Sequence, residues 1–517
     1  MIESNSAVLG KRIITWVPIL LACLFIGFYA ARSPIIGILA LGGIGCLIVY
    51  FAAPNWMVWI ALFSAFATMP SGVPAGKLVG STIIYIYEIL VFLAIAFLIL
   101  SRRNRTPIFA LPAIYLIFVA FSIITGFLNN NELQWIIFEA RPLVMMAAGF
   151  TLAELVIRQN LVARAVRVMV VVLWFSAAMI AVGSIASLSV QGGEKTLVGA
   201  DGSKIAGDVQ RFFTVTQAPA FAVLIVLIVV SIITRVRPAA WVTLGTPALI
   251  ITFFSFTRFS FLAAFAAVGI AGFLSPSRAT FLRLAKILGI FLGIACVLAI
   301  LLQLSPISFG NGWVGQQFEA YRTRIFDGLF LFVNGGDMSY GARQAENAHL
   351  WIAIPEAPIV GHGFGYAYQP AFGRANSFTA TYGPYYAHNF YLWLLAKSGI
   401  IGLGGFALFA LIPIVRGLRT PLVEAKASAA FAAIYLAVCV VSPAGESGTA
   451  AMVLGIALGA AMTFSRKPIP ALPSLMSQNP HSYGSTSRQL AGGNAEASDP
   501  SEHLIESAGG SHKGLVS

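Results

Sequence analysis

The composition of this 517-residue chain excludes an ordinary soluble protein. Hydrophobic residues make up 58% of it and charged residues only 10%, whereas soluble domains carry roughly 25% charged residues. Apolar stretches recur from residue 13 to residue 465, and at about 17–25 residues each can cross a hydrocarbon core as a helix. A transmembrane β-barrel would show short segments of alternating polarity instead. The net charge of +13 is spread as short clusters between apolar stretches, which indicates membrane topology and not a nucleic-acid surface.

In chain order, the apolar stretches predict an all-α fold, a polytopic transmembrane bundle of about 12–14 helices. The first stretch follows Lys11 and Arg12 and lacks a convincing small-residue cleavage site, so we expect a retained helix and not a signal peptide. The predicted spans are residues 13–31, 34–53, 55–70, 82–100, 107–127, 135–157, 168–189, 215–234, 239–256, 258–274, 285–303, 389–414, 427–442 and 448–465.

Basic residues concentrate in alternate loops, which predicts that both termini are cytoplasmic. The chain then divides into N-terminal transmembrane helices over 1–303, a large periplasmic loop over 304–388, C-terminal transmembrane helices over 389–465 and a disordered tail over 466–517. Within the loop, apolar residues recur at helical spacing in Trp313 to Val333 and Arg343 to Ile354. These stretches predict short amphipathic helices on the membrane surface.

Residues 239–274 form one apolar run that is interrupted only around Thr257 and Arg258. A single helix of this length would extend about 54 Å, nearly twice the hydrocarbon thickness. Basic clusters flank the run on both sides, so both of its ends are expected in the cytoplasm. The run is therefore predicted to be a helical hairpin with Arg258 at its outer turn.

The four cysteines all lie inside apolar spans, and the chain contains no Asp-x-Asp pair and no metal-ligand spacing. We therefore expect no disulfide framework, no metal site and no cofactor.

Three motifs follow one another between residues 343 and 402. Arg343 is followed eight residues later by Trp351, a Pro-x-x-Gly-x-Gly loop begins at Pro358, and a His-Asn-x-x-Leu sequence begins at His388. The helix that starts there continues to Gly399-Ile-Ile-Gly402. This series resembles the core signature of the O-antigen ligase and O-antigen or exopolysaccharide polymerase superfamily.

Two upstream arginines add to the resemblance. Thr257-Arg258 resembles the family's Ser-Arg at the head of a helix, and Gln210-Arg211-Phe-Phe resembles its arginine at the foot of a preceding helix. The resemblance implies a glycosyltransferase of the bacterial inner membrane that works without a metal. It would move a saccharide from undecaprenyl diphosphate to the lipid A core or to a second lipid-linked glycan, with His388 as general base and Arg258 and Arg211 stabilising the diphosphate.

Elementary chemistry supports these roles. Negative charge develops on a departing diphosphate, and guanidinium groups bind phosphate through paired hydrogen bonds while staying charged. The acceptor hydroxyl must lose a proton, which a histidine can take near neutral pH. Candidate substrate-binding residues are Arg343, Gly361, Gly363, Asn389 and Arg141.

Each candidate also has a structural interpretation. Arg258 could extend to lipid headgroups, and His388 could simply cap its helix. Arg343 could form an ion pair with Glu346 or Glu356. These alternatives stay open from sequence alone.

The same holds for other candidates. Gly361 and Gly363 could permit a tight turn, and Arg141 could be neutralised by Glu139 or Glu88 inside the membrane. His349 and His362 are alternative bases, and the aromatic cluster Tyr382 to Tyr386 could anchor the loop at the membrane interface or stack against sugar rings.

A transporter or lipid flippase without chemistry is the competing class. It predicts charged or broken helices at the membrane midplane and two related halves, whereas most unusual residues here gather in the predicted outer segments.

Overall fold

The computed structural model describes Gly27 and residues 34–53, 55–79, 82–101, 110–186, 188–194, 209–308, 312–326, 338–373 and 378–466. Its elements, numbered in chain order, are α1 (Pro34–Ala52), α2 (Trp56–Phe66), β1 (Gly76–Val79), β2 (Thr82–Tyr85), α3 (Ile86–Leu100), α4 (Ala110–Leu128), α5 (Leu133–Arg158), α6 (Val162–Ala186), β3 (Gly193–Glu194), β4 (Arg211–Phe212), α7 (Gln217–Ile233), α8 (Pro238–Phe254), α9 (Phe259–Leu274), α10 (Arg278–Ser308), α11 (Trp313–Tyr321), α12 (Met338–Ala353), α13 (Phe378–Thr381), α14 (Phe390–Arg419), α15 (Val423–Val438) and α16 (Gly448–Arg466).

The predicted all-α, multi-pass architecture is confirmed. Within the described residues, five helices are long and apolar enough to cross a membrane, namely α4, α5, α6, α14 and α16, and shorter apolar helices accompany them. Each predicted span from residue 34 onwards contains a helix. The span predicted over residues 13–31 and nearly all of the predicted tail lie outside the described residues. Two small antiparallel hairpins, β1 with β2 and β3 with β4, were not predicted.

The centre of the bundle is the contact between α5 and α16. Gly149 of α5 lies against the Met452 carbonyl, while Gly455 and Gly459 of α16 lie against the Met146 and Phe150 carbonyls. Small residues spaced by four let helix backbones approach closely without a gap in packing. At one end of this contact, buried Glu154 of α5 pairs with Arg158 and with Arg466 of α16.

The break in the 239–274 run occurs where it was predicted. Helix α8 ends at Phe254 and α9 begins at Phe259, and between them Phe256 has a φ of 48°. This left-handed conformation is uncommon outside glycine, and here the Phe256 side chain is buried beside Tyr321 of α11. The two arms of the hairpin both pack against α7.

The predicted large loop contains helices, as expected. Helix α10 extends past residue 303 to Ser308, α11 falls within the first amphipathic stretch, and α12 overlaps the second but begins earlier, at Met338. The loop lies at the end of the bundle where α5, α14 and α16 begin, because Asn131 donates to the Phe364 carbonyl and the Ala387 amide donates to Glu446, which precedes α16. The turn after α8 joins the loop there, since Arg258 donates to the Arg324 carbonyl. We call this end the site end.

Gly455→Ala is expected to destabilise the protein. The added methyl group would overlap the Met146 carbonyl, so α5 and α16 must separate, and overpacking of this kind costs about 1–3 kcal/mol. The measurement is the thermal unfolding midpoint of the purified protein in detergent, with Gly404→Ala as the matched control because a Cβ on Gly404 meets open space. Equal midpoints for the two variants would contradict the role given to this contact.

Candidate active site

The loop Gly361-His-Gly-Phe-Gly365 is wedged between α4, α5 and α14. Gly361, Gly363 and Gly365 have φ values of 71°, 79° and 81°, which glycine adopts at low cost. A Cβ on Gly361 would overlap the Lys397 carbonyl, and one on Gly363 would overlap the backbone of Gly126. These glycines are therefore required by close approach of the loop to two helices.

All five backbone amides of this loop donate to protein atoms. Gly361, His362 and Gly363 donate to the carbonyls of Ala357, Ala396 and Lys397, and Phe364 donates to the Ser122 carbonyl. Gly365 donates to Glu139 Oε2 at 2.6 Å. A phosphate cradle would need amides that are free of such partners. The geometry thus favours the tight-turn interpretation of Gly361 and Gly363 over their predicted contact with substrate.

A buried ion pair fixes this loop to the helices below it. Lys397 of α14 and Glu139 of α5 form the pair, with side-chain exposures of 0% and 1%. Lys397 also donates to the Tyr366 carbonyl, while Glu139 accepts from Gly365. Both charges are therefore hydrogen-bonded as well as paired, which is the condition under which burying them is tolerable.

His388 and Glu346 form a close pair where the loop re-enters the bundle. Glu346 Oε2 lies 2.8 Å from His388 Nδ1 and accepts the His388 backbone N–H at 3.1 Å. The two side chains are 30% and 12% exposed. A carboxylate at this position favours the imidazole tautomer that carries its proton on Nδ1, and in that tautomer the lone pair of Nε2 is available to a ligand.

The residue after His388 caps helix α14. Asn389 Oδ1 accepts the amides of Tyr391 and Leu392 at 3.2 Å each, capping the start of α14. The oxygen of this predicted substrate-binding residue is thus already occupied, and the cap fixes where His388 stands.

Further charged groups surround the pair. Burial raises the pKa of the Tyr386 phenol well above its ordinary value, the carboxylates of Glu446 and Glu346 raise it further, and the charge of Arg343 opposes them. The Tyr386 ring meets the His388 ring edge to face at 5.4 Å. The charge of Arg343 therefore acts on Tyr386, whose ring contacts the His388 ring.

Glu446 is the least expected member of this group. It follows α15 in a short 3-10 turn, and its Oε2 accepts the Ala387 amide at 3.4 Å. Burial raises the pKa of the Glu446 carboxyl well above its ordinary value, and the Ala387 hydrogen bond only partly offsets this. A carboxyl in this environment favours its neutral form.

A second group of cations lies on the turn between α8 and α9. Arg258 immediately precedes α9, and its Nε donates to the Arg324 carbonyl at 2.9 Å. Thr257 is held between the hydroxyls of Ser255 and Ser260 at 2.9 and 2.8 Å. Hydroxyl residues at this turn thus order the backbone that carries Arg258.

Arg211 reaches the same turn from β4. Its Nε donates to the Ser255 carbonyl at 3.0 Å, and its guanidinium lies over the Phe213 ring at 3.4 Å. The structure therefore brings Arg211 and Arg258 to one turn, although they are far apart in sequence.

We call the turn between α8 and α9, where Arg258 and Arg211 meet, the arginine turn. The arginine turn and the His388–Glu346 pair both lie at the site end. Phe259, next to Arg258, contacts the ring of Phe221, which contacts Tyr435 near the end of α15. From there, Leu436 accepts the Tyr391 hydroxyl at 2.7 Å, three residues from His388. Packed aromatic side chains and the Tyr391–Leu436 hydrogen bond therefore connect the arginine turn to the His388–Glu346 pair.

Arg141 forms an ion pair, which was the alternative to its predicted binding of substrate. Its Nε lies 3.2 Å from Glu88 Oε1, and it also donates to the Ile83 carbonyl and lies 5.1 Å from the Tyr85 ring. Mutual neutralisation, which the sequence left open, is observed with Glu88, while Glu139 pairs with Lys397.

The alternative bases are less well placed. His362 Nε2 lies 2.9 Å from the Ala353 carbonyl, and its ring stacks on Tyr366 at 3.9 Å. That ring is held by packing within the loop, and its carboxylate neighbour, Glu356 Oε2, lies 3.9 Å from Nε2, whereas Glu346 Oε2 lies 2.8 Å from His388 Nδ1.

Sequence reasoning missed three residues. Glu346 was considered only as a partner of Arg343, although helical spacing in α12 puts it on one face with buried Leu350 and Ala353. Lys397 and Glu446 were missed because their partners, Glu139 and the Ala387 amide, are distant in sequence and no local pattern indicates them.

Lys397→Met is expected to cost roughly 3–5 kcal/mol of stability, because it leaves Glu139 charged and buried without its cation. The double variant Glu139→Gln/Lys397→Met should recover part of that loss, since the amide oxygen can still accept from Gly365. Thermal unfolding in detergent measures both, with Arg322→Met as control because the Arg322–Glu319 pair is exposed. A larger loss in the control would refute the role of the buried pair.

Comparison with known proteins gives a family match for part of the chain. A search of the curated proteins found no match. Residues 242–407 match the family model described as O-antigen ligase. This segment includes the arginine turn, Glu346, the glycine loop, His388 and Lys397, whereas Arg211 and Arg141 lie before it. Residues 242–407 of this membrane protein, about a third of the chain, are therefore similar to the O-antigen ligase family.

Proposed function

We propose that this chain transfers a saccharide from undecaprenyl diphosphate to an acceptor hydroxyl at the periplasmic face of the bacterial inner membrane. The observation that carries the proposal is the His388–Glu346 pair, with Nδ1 and Oε2 2.8 Å apart, inside the O-antigen ligase domain. Both termini would then be cytoplasmic, and the site end would face the periplasm, in agreement with the distribution of basic loops.

His388 would act as the general base. Its Nε2 accepts the proton of the acceptor hydroxyl as the oxygen forms a bond to the anomeric carbon of the donor sugar. Glu346 then stabilises the imidazolium that results and keeps the ring in the productive orientation. The bond between the anomeric carbon and the diphosphate oxygen breaks at the same time, and undecaprenyl diphosphate departs with the electron pair.

Arg258 and Arg211 would stabilise the departing diphosphate. Negative charge builds on its oxygens as the bond breaks, so fixed cations there lower the barrier. The turn between α8 and α9 brings both arginines together, and two guanidinium groups can supply the charge that a divalent ion provides in metal-dependent transferases. We therefore expect transfer without an added metal. Arg343 would extend this positive region towards the base.

The proposed reaction allows three acceptors. Transfer to the lipid A core would make the protein an O-antigen ligase, and transfer to a second lipid-linked glycan would make it an O-antigen or exopolysaccharide polymerase. A protein acceptor is a third variant. A deletion strain separates the first two, because loss of a ligase leaves lipid-linked polymer whereas loss of a polymerase leaves single repeat units.

The competing function is a transporter or lipid flippase without chemistry. The ion pair Glu139–Lys397 inside the bundle could suggest a translocation path. Its two charges neutralise each other and hold the loop, however, whereas the His388–Glu346 pair supplies the base that glycosyl transfer needs.

Arg258→Ala and His388→Ala are expected to lower kcat by about 10²-fold or more each, because each removes a group that acts on charge or a proton in the transition state. The assay uses purified protein, undecaprenyl-diphosphate glycan and acceptor. Arg322→Ala is the matched control, since its exposed side chain pairs with Glu319. Transfer that survives both changes, or that a chelator abolishes, would reject the mechanism.

Glu346→Gln should lower kcat by roughly 10–10³-fold while leaving the donor KM within about twofold, since it removes the charge that stabilises the imidazolium but preserves size. Glu346→Asp should restore part of the rate. The control is Glu319→Gln, which alters an exposed carboxylate on α11. An unchanged kcat for Glu346→Gln would show that the carboxylate contributes nothing to the base.

A further inference from the structure

A continuous row of aromatic rings leads from α5 to His388. Trp135, in the first turn of α5, stacks on Tyr385 with centroids 4.1 Å apart and meets Tyr382 edge to face at 5.6 Å. Phe378 links Tyr382 at 5.4 Å to Tyr386 at 5.0 Å. Tyr386 then meets the His388 imidazole. We call Trp135, Phe378, Tyr382, Tyr385 and Tyr386 the aromatic row.

Hydrogen bonds to backbone carbonyls of the loop hold the row in place. Trp393 donates its indole N–H to the Tyr385 carbonyl at 2.8 Å, and Gln369 donates to the Gly383 carbonyl at 2.7 Å. The Tyr368 amide bonds the Pro384 carbonyl at 3.1 Å. A surface ordered before binding loses little entropy when a ligand arrives.

Polar groups line the row. Across the part of the chain that the structure describes, no protein hydrogen bond is made by the hydroxyls of Tyr382, Tyr385 and Tyr386 or by the indole N–H of Trp135. Beside Tyr385, the exposed Glu132 carboxylate accepts from Gln134 Nε2 at 2.8 Å. Aromatic faces with hydroxyl, amide and carboxylate groups at their edges suit a sugar, which presents apolar C–H faces and hydroxyl edges.

We propose that the aromatic row is the binding site for the saccharide of the acceptor. The row ends at His388, the base that takes the proton from the acceptor hydroxyl, whereas the donor diphosphate is assigned to the arginine turn. A glycan on the row would therefore present a hydroxyl to Nε2. This assignment rests on the proposed function and narrows it, because the acceptor becomes a glycan and not a protein.

A membrane anchor is the competing role of such rings. Anchoring residues turn their rings towards the lipid interface. Trp135, Tyr382, Tyr385 and Tyr386 are instead half-buried, and each packs against another ring of the row. Phe378 alone is largely exposed, at 54%.

The test measures saccharide binding and transfer separately. Two soluble probes, lipopolysaccharide core oligosaccharide and a repeat-unit glycan released from its lipid by mild acid, are added to the purified full chain, and saturation-transfer NMR reports binding. We expect wild type to bind one probe. Trp135→Ala and Tyr385→Ala should weaken binding and raise the acceptor KM by roughly tenfold, with the donor KM unchanged. Trp135→Phe should retain most binding.

Controls separate binding from folding and from chemistry. Trp56→Ala removes an exposed ring at the start of α2 and should bind normally. Tyr382→Phe/Tyr385→Phe removes only hydroxyl groups, so it tests the row if an alanine variant fails to fold, and it should weaken binding. His388→Ala should bind the glycan but not transfer it.

Three outcomes would overturn the proposal: binding of neither probe by wild type, an unchanged acceptor KM in folded Trp135→Ala and Tyr385→Ala, or thermal destabilisation as the sole effect of every row variant. If wild type binds a probe through the row yet shows no transfer, the proposed function fails and the saccharide site stands.

Discussion

The buried ion pair between Glu139 and Lys397 joins the scaffold of this protein to its candidate active site. Burying two charges is unfavourable unless each is paired and hydrogen-bonded, and here Gly365 of the glycine loop bonds Glu139 and the carbonyl of Tyr366, the next residue, bonds Lys397. Helix α5, fixed by its glycine contact with α16, thereby determines where the loop and the start of α14 lie. The position of His388 follows from that arrangement, so a helical membrane scaffold can present a loop residue in a defined orientation.

The site end separates two kinds of chemistry. The turn between α8 and α9 gathers Arg258 and Arg211, whose charge cannot be lost near neutral pH. The re-entry of the loop gathers His388, whose imidazole can take a proton from a ligand, and Glu346, the carboxylate that orients it. A transferase that moves a sugar from a diphosphate needs both, one for the leaving group and one for the nucleophile, and the O-antigen ligase domain contains Arg258, Glu346 and His388 in one segment.

Local patterns were enough to predict the helices and the break before Arg258 and to recognise the motif around His388. Each depends on the length, apolarity and charge of one short stretch of sequence. They could not predict partners that meet only after folding. Lys397 and Glu139 are 258 residues apart, and Glu346 was placed near Arg343 by sequence while the fold brings it to His388. Gly361 and Gly363 matched a loop motif, but only the backbones packed against them show why glycine is required there. The substrate roles of Arg211, Arg258, Arg343 and His388 stay predictions.

Chemical rescue of His388→Ala tests the central claim most directly. Removing the imidazole leaves space beside the Glu346 carboxylate, and added imidazole can occupy it and accept the proton from the acceptor hydroxyl. The transfer rate of purified His388→Ala, measured against imidazole concentration, should start far below wild type and rise until it saturates. A His388→Ala protein that transfers glycan at the wild-type rate without imidazole would contradict the assignment of His388 as the base.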